Sequence, residues 1–180
     1  MSFSKEALQT FKEKLKAGEV VAAPAEGVYG YCADPFNPNA LEKLLAIKKR
    51  TAGKGFITLV RSFDDLAQLA APLNEQEKAT LQQHWPGQVT FILPAKKGLP
   101  DLLTGGRETI AVRMPATAYM HEYLNAWGGP LVSTSANISG QPPATDPTDL
   151  FDGVYALKSR TPLKGGVSQV IDLKTGAQLR

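Results

Sequence analysis

The chain begins with a segment whose apolar residues recur at helical spacing. These residues are Phe3, Ala7, Leu8, Phe11 and Leu15. Because residues three or four apart share one face of a helix, the pattern predicts an amphipathic helix that stops at Gly18. Similar spacing predicts a helix from Asn39, with Glu42 completing a capping box, a helix capped by Asn74, and a helix over 117–126.

Short apolar runs predict the strands. They cover 20–23, 56–60, 89–93, 109–114, 154–157 and 167–173, and a further strand begins at 131–132 and runs into a loop rich in Ser, Gly and Pro over 133–147. Helices and strands around one sheet indicate an α/β or α+β domain. Because they alternate too irregularly for a series of βαβ units, we expect a mixed sheet flanked by helices, within a single domain over 1–180.

The composition excludes several classes of protein. With 180 residues, 43% of them hydrophobic and 21% charged, the chain is expected to fold as one globular domain, and disordered, collagen-like and low-complexity classes are disfavoured. A single cysteine, Cys32, precludes an intramolecular disulfide. The apolar runs are too short to span a membrane and the N-terminus lacks the apolar core of a signal peptide, so we expect a cytoplasmic protein without a membrane partner.

The net charge is only +3, but one segment concentrates the cations. From Lys43 to Arg61 there are six Lys and Arg residues and no acidic residue. Within it, Lys48, Arg50 and Lys54 lie where a helix ends and a glycine-containing turn begins. Cations in a last helical turn interact favourably with the helix dipole, which is one interpretation. The other is a polyphosphate clamp made of three cations and backbone N–H groups, without the Walker A order.

Three other segments place polar side chains beside predicted strands. The segment 133–139 carries five short polar side chains, which fits either a ligand-binding loop or a turn stabilised by its own hydrogen bonds. Arg113 lies near the end of an apolar strand, where it needs a structural carboxylate or a ligand anion. Glu26 and Tyr29 belong to a segment, 24–30, that is either a site or a plain Gly-rich connection.

Five motifs occur in one order along the chain. They are Pro-x-Glu-x-Val-Tyr-Gly from Pro24, Lys-x-Arg from Lys48 with Lys54 behind it, Trp-Pro-Gly-x-x-Thr from Trp85, Val-Arg-x-Pro from Val112, and Ser-Thr-Ser-Ala-Asn-x-Ser-Gly from Ser133. Each motif is weak alone, but the ordered set resembles the YrdC-type threonylcarbamoyl-AMP synthases in their short bacterial form (TsaC). The resemblance covers roughly residues 20–180.

The resemblance implies an ATP-dependent condensation. Members of the family join L-threonine and bicarbonate into a carbamate that attacks ATP, which gives threonylcarbamoyl-AMP and pyrophosphate for N6-threonylcarbamoyladenosine at tRNA position 37. It further implies Mg2+ accompanying ATP, the partner proteins TsaD, TsaB and TsaE, and a twisted, mostly parallel and partly mixed α/β sheet with a concave basic face.

The resemblance also implies which residues form the site. The expected catalytic residues are Lys48 and Arg50. The expected ATP-binding residues are Arg50, Lys54, Thr109, Ser135, Asn137 and Arg180. The expected threonine and carbamate ligands are Glu26, Tyr29, Arg113, Ser133 and Ser168. No general base, nucleophile or protein-held metal is predicted, since His84 and His121 lack metal-ligand spacing, so catalysis is expected to depend on positioning and electrostatics.

Two alternatives stand beside this interpretation. A non-catalytic module for ribosome maturation would bind tRNA or another structured RNA through phosphates on the basic face. A carbamoyl-adenylate-forming enzyme of the hydrogenase-maturation type is disfavoured, because those activities lie in much longer multidomain chains. The family commonly has threonine where this chain has Ala25, and some relatives have histidine at the position of Leu59, so the substrate pocket is expected to differ in detail.

Overall fold

The computed structural model describes residues 2–180, which form six helices and eight strands. The helices are α1 (Lys5–Lys16), α2 (Pro38–Lys48), α3 (Phe63–Leu66), α4 (Glu75–His84), α5 (Asp101–Thr104) and α6 (Ala118–Trp127). The strands are β1 (Val21–Pro24), β2 (Tyr29–Ala33), β3 (Ile57–Leu59), β4 (Val89–Pro94), β5 (Thr109–Arg113), β6 (Leu131–Ser135), β7 (Tyr155–Ala156) and β8 (Gln169–Asp172). In this range no helix combines the length and the hydropathy needed to cross a bilayer.

All the strands belong to one mixed sheet, in the order β7-β1-β2-β6-β3-β5-β4-β8. Within residues 2–180, three strand pairs are parallel and four are antiparallel. The predicted mixed sheet with flanking helices is therefore confirmed, whereas the expectation of a mostly parallel sheet is wrong. One reason is the short connection 25–28, which joins β1 directly to β2 and so requires antiparallel pairing.

Each face of the sheet carries its own apolar cluster. Neighbouring residues of β1 belong to different clusters, Val21 to one and Ala22 to the other, because successive side chains of a strand point to opposite faces. Helices α1 and α6 cover the first face, where Phe11 packs 5.5 Å from the Tyr123 ring. Helix α2 covers the second face through residues such as Leu41. The sheet is thus enclosed by helices on both sides.

Helix capping follows the sequence in one case and departs from it in another. At α4, the Glu77 amide donates to the Asn74 side chain at 2.8 Å and the Asn74 amide donates to the Glu77 carboxylate at 3.1 Å, which confirms the predicted capping box. The cap of α2 is Asn37, whose side chain accepts from the Asn39 amide at 3.0 Å. The predicted cap at Asn39 is wrong because Pro38 occupies the first helical turn, a position that suits its fixed φ.

The segments around β2 and β6 also depart from the sequence expectation. The sequence predicts a turn over 24–30 and a loop from Ser133, but β2 begins at Tyr29 and β6 continues through Ser135. The two strands pair antiparallel, with Gly30 opposite Ser135. Pairing with β2 is what keeps the polar end of β6 extended, because each strand satisfies the other's backbone groups.

Residues 157–168, here called the crossing segment, connect β7 at one edge of the sheet to β8 at the other. The Ser159 amide donates to the Tyr29 hydroxyl at 2.8 Å, and the Gly165 amide donates to the Gly27 carbonyl at 2.7 Å. A Cβ on Gly27 would lie 2.3 Å from the Gly165 carbonyl oxygen, and its φ of +96° also favours glycine. The crossing segment therefore lies directly against the β1–β2 connection.

Candidate functional site

A cleft of about 370 Å³ lies between the sheet and the crossing segment. Of the residues expected at the site, those that line it are Glu26, Tyr29, Arg50, Lys54, Thr109, Arg113, Ser133, Ser135, Ser168 and Arg180. Alternation along the strands explains part of this set, since Thr109, Ala111 and Arg113 of β5 are two residues apart. The structure thus brings together residues that are distant in the sequence.

Arg113 forms an ion pair with Glu26 of the same chain. Its Nη1 lies 3.4 Å from Oε2 of Glu26, and the two side chains are only 9% and 10% exposed. The other carboxylate oxygen, Oε1 of Glu26, is buried and has no hydrogen-bond partner among residues 2–180. The pair leaves further guanidinium N–H donors and one carboxylate acceptor, so it can bind an anionic and a cationic group side by side.

Tyr119 of α6 supports the same end of the cleft, although it belongs to none of the sequence motifs. Its hydroxyl donates to the Ala25 carbonyl at 2.9 Å, which fixes the backbone next to Glu26. Burial raises the pKa of Tyr119 first of all, and the nearby Glu26 charge raises it further, while Arg113 opposes both. The phenol therefore stays protonated and able to donate.

Tyr29 is among the residues that line the cleft, and its hydroxyl bonds the crossing segment. The side chain is fully buried, and the hydroxyl accepts the 2.8 Å hydrogen bond from the Ser159 amide. Burial is the main cause that raises the pKa of this tyrosine. In the structure, Tyr29 therefore holds the start of the crossing segment in place.

Lys48 and Asn137 lie behind the cleft and do not line it. Lys48 is 2% exposed, and its Nζ donates to the Ser135 carbonyl, to the Asn137 carbonyl at 3.1 Å and to Oδ1 of Asn137 at 2.9 Å. Ser135 Oγ donates to the same Oδ1 at 2.7 Å. Burial lowers the pKa of Lys48 to about 8, with a smaller contribution from the charge of Arg50. These bonds assign Lys48 to positioning the end of β6.

Arg50 and Lys54 both line the cleft; Arg50 precedes a short 3₁₀ turn, Ala52–Lys54, and Lys54 is its last residue. Arg50 Nη2 donates to the Gly55 carbonyl at 2.7 Å, its guanidinium carbon lies 5.1 Å from the centre of the Phe56 ring, and its Nε is buried without a partner among the described residues. Burial lowers the pKa of Arg50, and the charge of Arg107 lowers it further. Arg107, which belongs to none of the sequence motifs, lines the same cleft.

Ser168 and Arg180 close the cleft beside β4 and β8. Arg180 Nε donates to the Ser168 carbonyl at 3.1 Å and Nη2 donates to Ser168 Oγ at 3.2 Å. Ser168 Oγ also lies 3.2 Å from Oγ1 of Thr90 in β4. The C-terminal arginine is thereby held against the last residue of the crossing segment.

Apart from Arg180, which bonds Ser168, the charged groups that line the cleft fall into two sets along β5. Arg107 precedes this strand and Arg113 ends it, and the strand between Thr109 and Arg113 is roughly 14 Å long. One set contains the paired Glu26 and Arg113. The other set contains cations, Arg50, Lys54 and Arg107, none of which forms an ion pair within residues 2–180. Such a cleft suits a ligand with an amino-acid group at one end and phosphates at the other.

The chain is similar to proteins of one family over nearly its whole length. The family model Sua5/YciO/YrdC, described as telomere recombination, matches residues 13–179. A threonylcarbamoyl-AMP synthase of Vibrio campbellii is 35% identical over 183 residues, covering 96% of this chain and 99% of that one. Another, from Methylococcus capsulatus, is 41% identical over 177 residues and covers 92% of each chain.

A solved structure has the same fold. P. abyssi Sua5 complexed with L-threonine superposes with a TM-score of 0.86 at 31% sequence identity. The match covers 95% of this chain and 52% of that one, so the present chain spans about half the length of that Sua5 protein.

Proposed function

Because this chain belongs to the Sua5/YciO/YrdC family, we propose that it is a threonylcarbamoyl-AMP synthase. Such an enzyme condenses L-threonine, bicarbonate and ATP to threonylcarbamoyl-AMP and pyrophosphate, and is a nucleotidyltransferase of tRNA modification. The observation that carries the proposal is the division of the cleft into the Glu26–Arg113 pair and a set of unpaired cations. The two sets match the two charged substrates.

The threonine is proposed to bind at the Glu26–Arg113 pair. Free N–H donors of Arg113 suit its carboxylate, and the unpartnered Oε1 of Glu26 suits its amino group or the N–H of the carbamate. Ser133 of β6 also lines the cleft and offers a hydroxyl to the same ligand. Ala25 and Leu59 also line the cleft and give this pocket an apolar wall.

The triphosphate of ATP is proposed to bind at Arg50 and Lys54. The carbamate oxygen attacks the α-phosphorus, a new P–O bond forms, the bond to the β-phosphate breaks, and pyrophosphate leaves with its electrons. Charge increases on the leaving group, and cations that are already in place stabilise it without reorganisation. Thr109, Ser135 and Arg180 are proposed to orient the nucleotide, with Asn137 acting through Ser135.

Catalysis is proposed to depend on positioning and charge. No histidine lines the cleft in the described part of the chain, and Lys48 is engaged with the end of β6. Lys48 is therefore a positioning residue that keeps Ser135 and Asn137 in the geometry that the nucleotide requires. Holding two reactants in line contributes a large share of the barrier reduction in such transfers.

Magnesium is proposed to enter as the MgATP substrate. Among residues 2–180 no three His, Cys, Asp or Glu side chains come together as a metal site. Mg2+ commonly takes its ligands from substrate phosphates and water, so the absence of a protein cage fits its role as part of the substrate. The product is proposed to pass to TsaD, TsaB and TsaE in the cytoplasm, where the transfer to tRNA is completed.

The test is pyrophosphate release from ATP by the full chain. We expect release only when threonine and bicarbonate are both present, and threonylcarbamoyl-AMP should form in equal amount. Release that does not depend on threonine would contradict the proposal. So would the absence of release together with tight RNA binding that weakens steeply with salt, which is the behaviour of a phosphate-binding RNA module.

A further inference from the structure

Arg107 lies at the cationic end of the cleft, in the turn between α5 and β5. It is exposed and lines the cleft, and its Nη1 donates to the Lys54 carbonyl at 3.2 Å. Its charge is close enough to Arg50 to lower the pKa of that guanidinium. Three cations therefore converge on one part of the cleft wall from two separate turns.

Two glycines allow these two turns to pack in close backbone contact. A Cβ on Gly55 would lie 2.8 Å from the Leu103 carbonyl oxygen, and a Cβ on Gly105 would lie 2.7 Å from the Gly53 carbonyl oxygen. Both glycines have positive φ, at +66° and +70°. The Phe56 amide adds a 3.0 Å hydrogen bond to the Leu103 carbonyl. Arg107 is thus held in a fixed relation to Arg50 and Lys54.

The convergence of these like charges costs free energy unless an anion neutralises them. Like charges repel, and in residues 2–180 no carboxylate forms an ion pair with Arg50, Lys54 or Arg107. Arg50 is also partly desolvated, with a buried Nε that lacks a partner in the same range. A ligand with several negative charges relieves both costs, since it neutralises the cations and accepts their free N–H groups.

We infer that Arg107 is a binding residue for the β- and γ-phosphates of ATP and for the pyrophosphate that leaves. The inference rests on the proposed function, because it assigns a further residue to the same reaction. Arg50 is half-buried whereas Lys54 and Arg107 are exposed, so Arg107 lies at the outer side of the cleft. The outer side is where a leaving group departs into water.

The experiment measures the binding of inorganic pyrophosphate to the full chain by calorimetry. Arg107→Gln removes the charge and keeps a donor for the Lys54 carbonyl, so the turn should stay folded. We expect its dissociation constant for pyrophosphate and its KM for ATP to rise about tenfold, as for the loss of a charge-assisted hydrogen bond near the surface. The KM for threonine should stay unchanged, and Arg107→Lys should restore most of the affinity.

Arg160→Gln is the matched control, because Arg160 is exposed and does not line the cleft. It should leave pyrophosphate binding within about twofold of the unmodified chain. Unchanged pyrophosphate binding and ATP KM in a folded Arg107→Gln variant would overturn the inference. An unmodified chain that lacks synthase activity but binds pyrophosphate through Arg107 would contradict the proposed function and still support the anion site.

Discussion

The charged side chains are paired at one end of the cleft and unpaired at the other. At one end, Glu26 and Arg113 are buried and paired at 3.4 Å. At the other, Arg50, Lys54 and Arg107 converge without a carboxylate partner within residues 2–180. The paired end is already neutral before a ligand arrives, whereas the cationic end becomes neutral only when an anion binds. A zwitterionic amino acid suits the first end, and a polyphosphate suits the second.

Because of this contrast, the two ends of the cleft should contribute differently to the stability of the fold and to the affinity for substrates. Breaking a buried ion pair leaves a desolvated charge, so a change at the paired end should weaken both folding and activity. Removing an unpaired cation relieves repulsion, so a change at the cationic end should weaken activity and spare folding. Substitutions at the two ends therefore test whether stability and activity respond separately.

The largest effect is expected from Arg113→Ala. The substitution leaves the Glu26 carboxylate buried and alone, so the free energy of unfolding should fall by about 3 kcal/mol. Threonine-dependent pyrophosphate release should fall about 1,000-fold, because the substrate carboxylate loses its charged partner as well. Urea unfolding and steady-state kinetics measure the two losses. In a protein that already carries Glu26→Gln, Arg113→Ala should lower the free energy of unfolding by less. An equal loss with and without Glu26→Gln would show that the ion pair does not stabilise this end of the cleft.

Arg50→Ala should affect activity alone. Product formation from ATP should fall by about 100-fold or more, since a preorganised donor to the developing charge is lost. The free energy of unfolding should change by less than about 1 kcal/mol, because the loss of the cation–π contact and of the hydrogen bond to Gly55 is offset by relief of charge repulsion and desolvation. Thermal unfolding and the threonine-dependent assay test this together. Full activity in a folded Arg50→Ala protein would remove Arg50 from the phosphate end.

The last effect is on stability alone and concerns Lys48, which lies behind the cleft. Its pKa is lowered from 10.5 to about 8, so between these pH values the unfolded chain binds a proton that the folded chain has released. The free energy of unfolding should therefore rise with pH across this window, by at most about 3 kcal/mol. Urea unfolding from about pH 7 to about pH 11 should show this rise in the unmodified chain.

Lys48→Met is the control for this pH dependence, because it keeps an unbranched side chain one heavy atom shorter than lysine and has no proton to release. Its free energy of unfolding should lack the contribution of Lys48 over the same window. Identical pH slopes in the two proteins would contradict a lowered pKa at this position.

The sequence predicted residues at the cleft better than it predicted the strands that carry them. The motifs around Glu26, Arg50, Arg113 and Ser133 each contribute a side chain to the lining, because a motif records residue type directly. β2 was missed because all its residues are buried, so the strand lacks the alternation that marks a half-exposed one.

Other parts of the site depend on contacts that no local pattern encodes. Lys48 and Arg50 are two residues apart in one motif, yet Lys48 turns toward Asn137 and Arg50 toward the cleft. Arg107 joins the cations only because Gly55 and Gly105 bring two distant turns into backbone contact. Tertiary packing decides which cation of a basic run reaches the ligand.

The crossing segment has a mechanical consequence. The sheet is about 34 Å wide from β7 to β8, whereas residues 157–168 reach about 40 Å when fully extended. The segment therefore has little slack, and it is tethered along its length at Tyr29 and Gly27. Residues 166–168 line the cleft between the tether at Gly27 and the start of β8, so a displacement of these residues by a ligand would be transmitted to the β1–β2 connection and to β8.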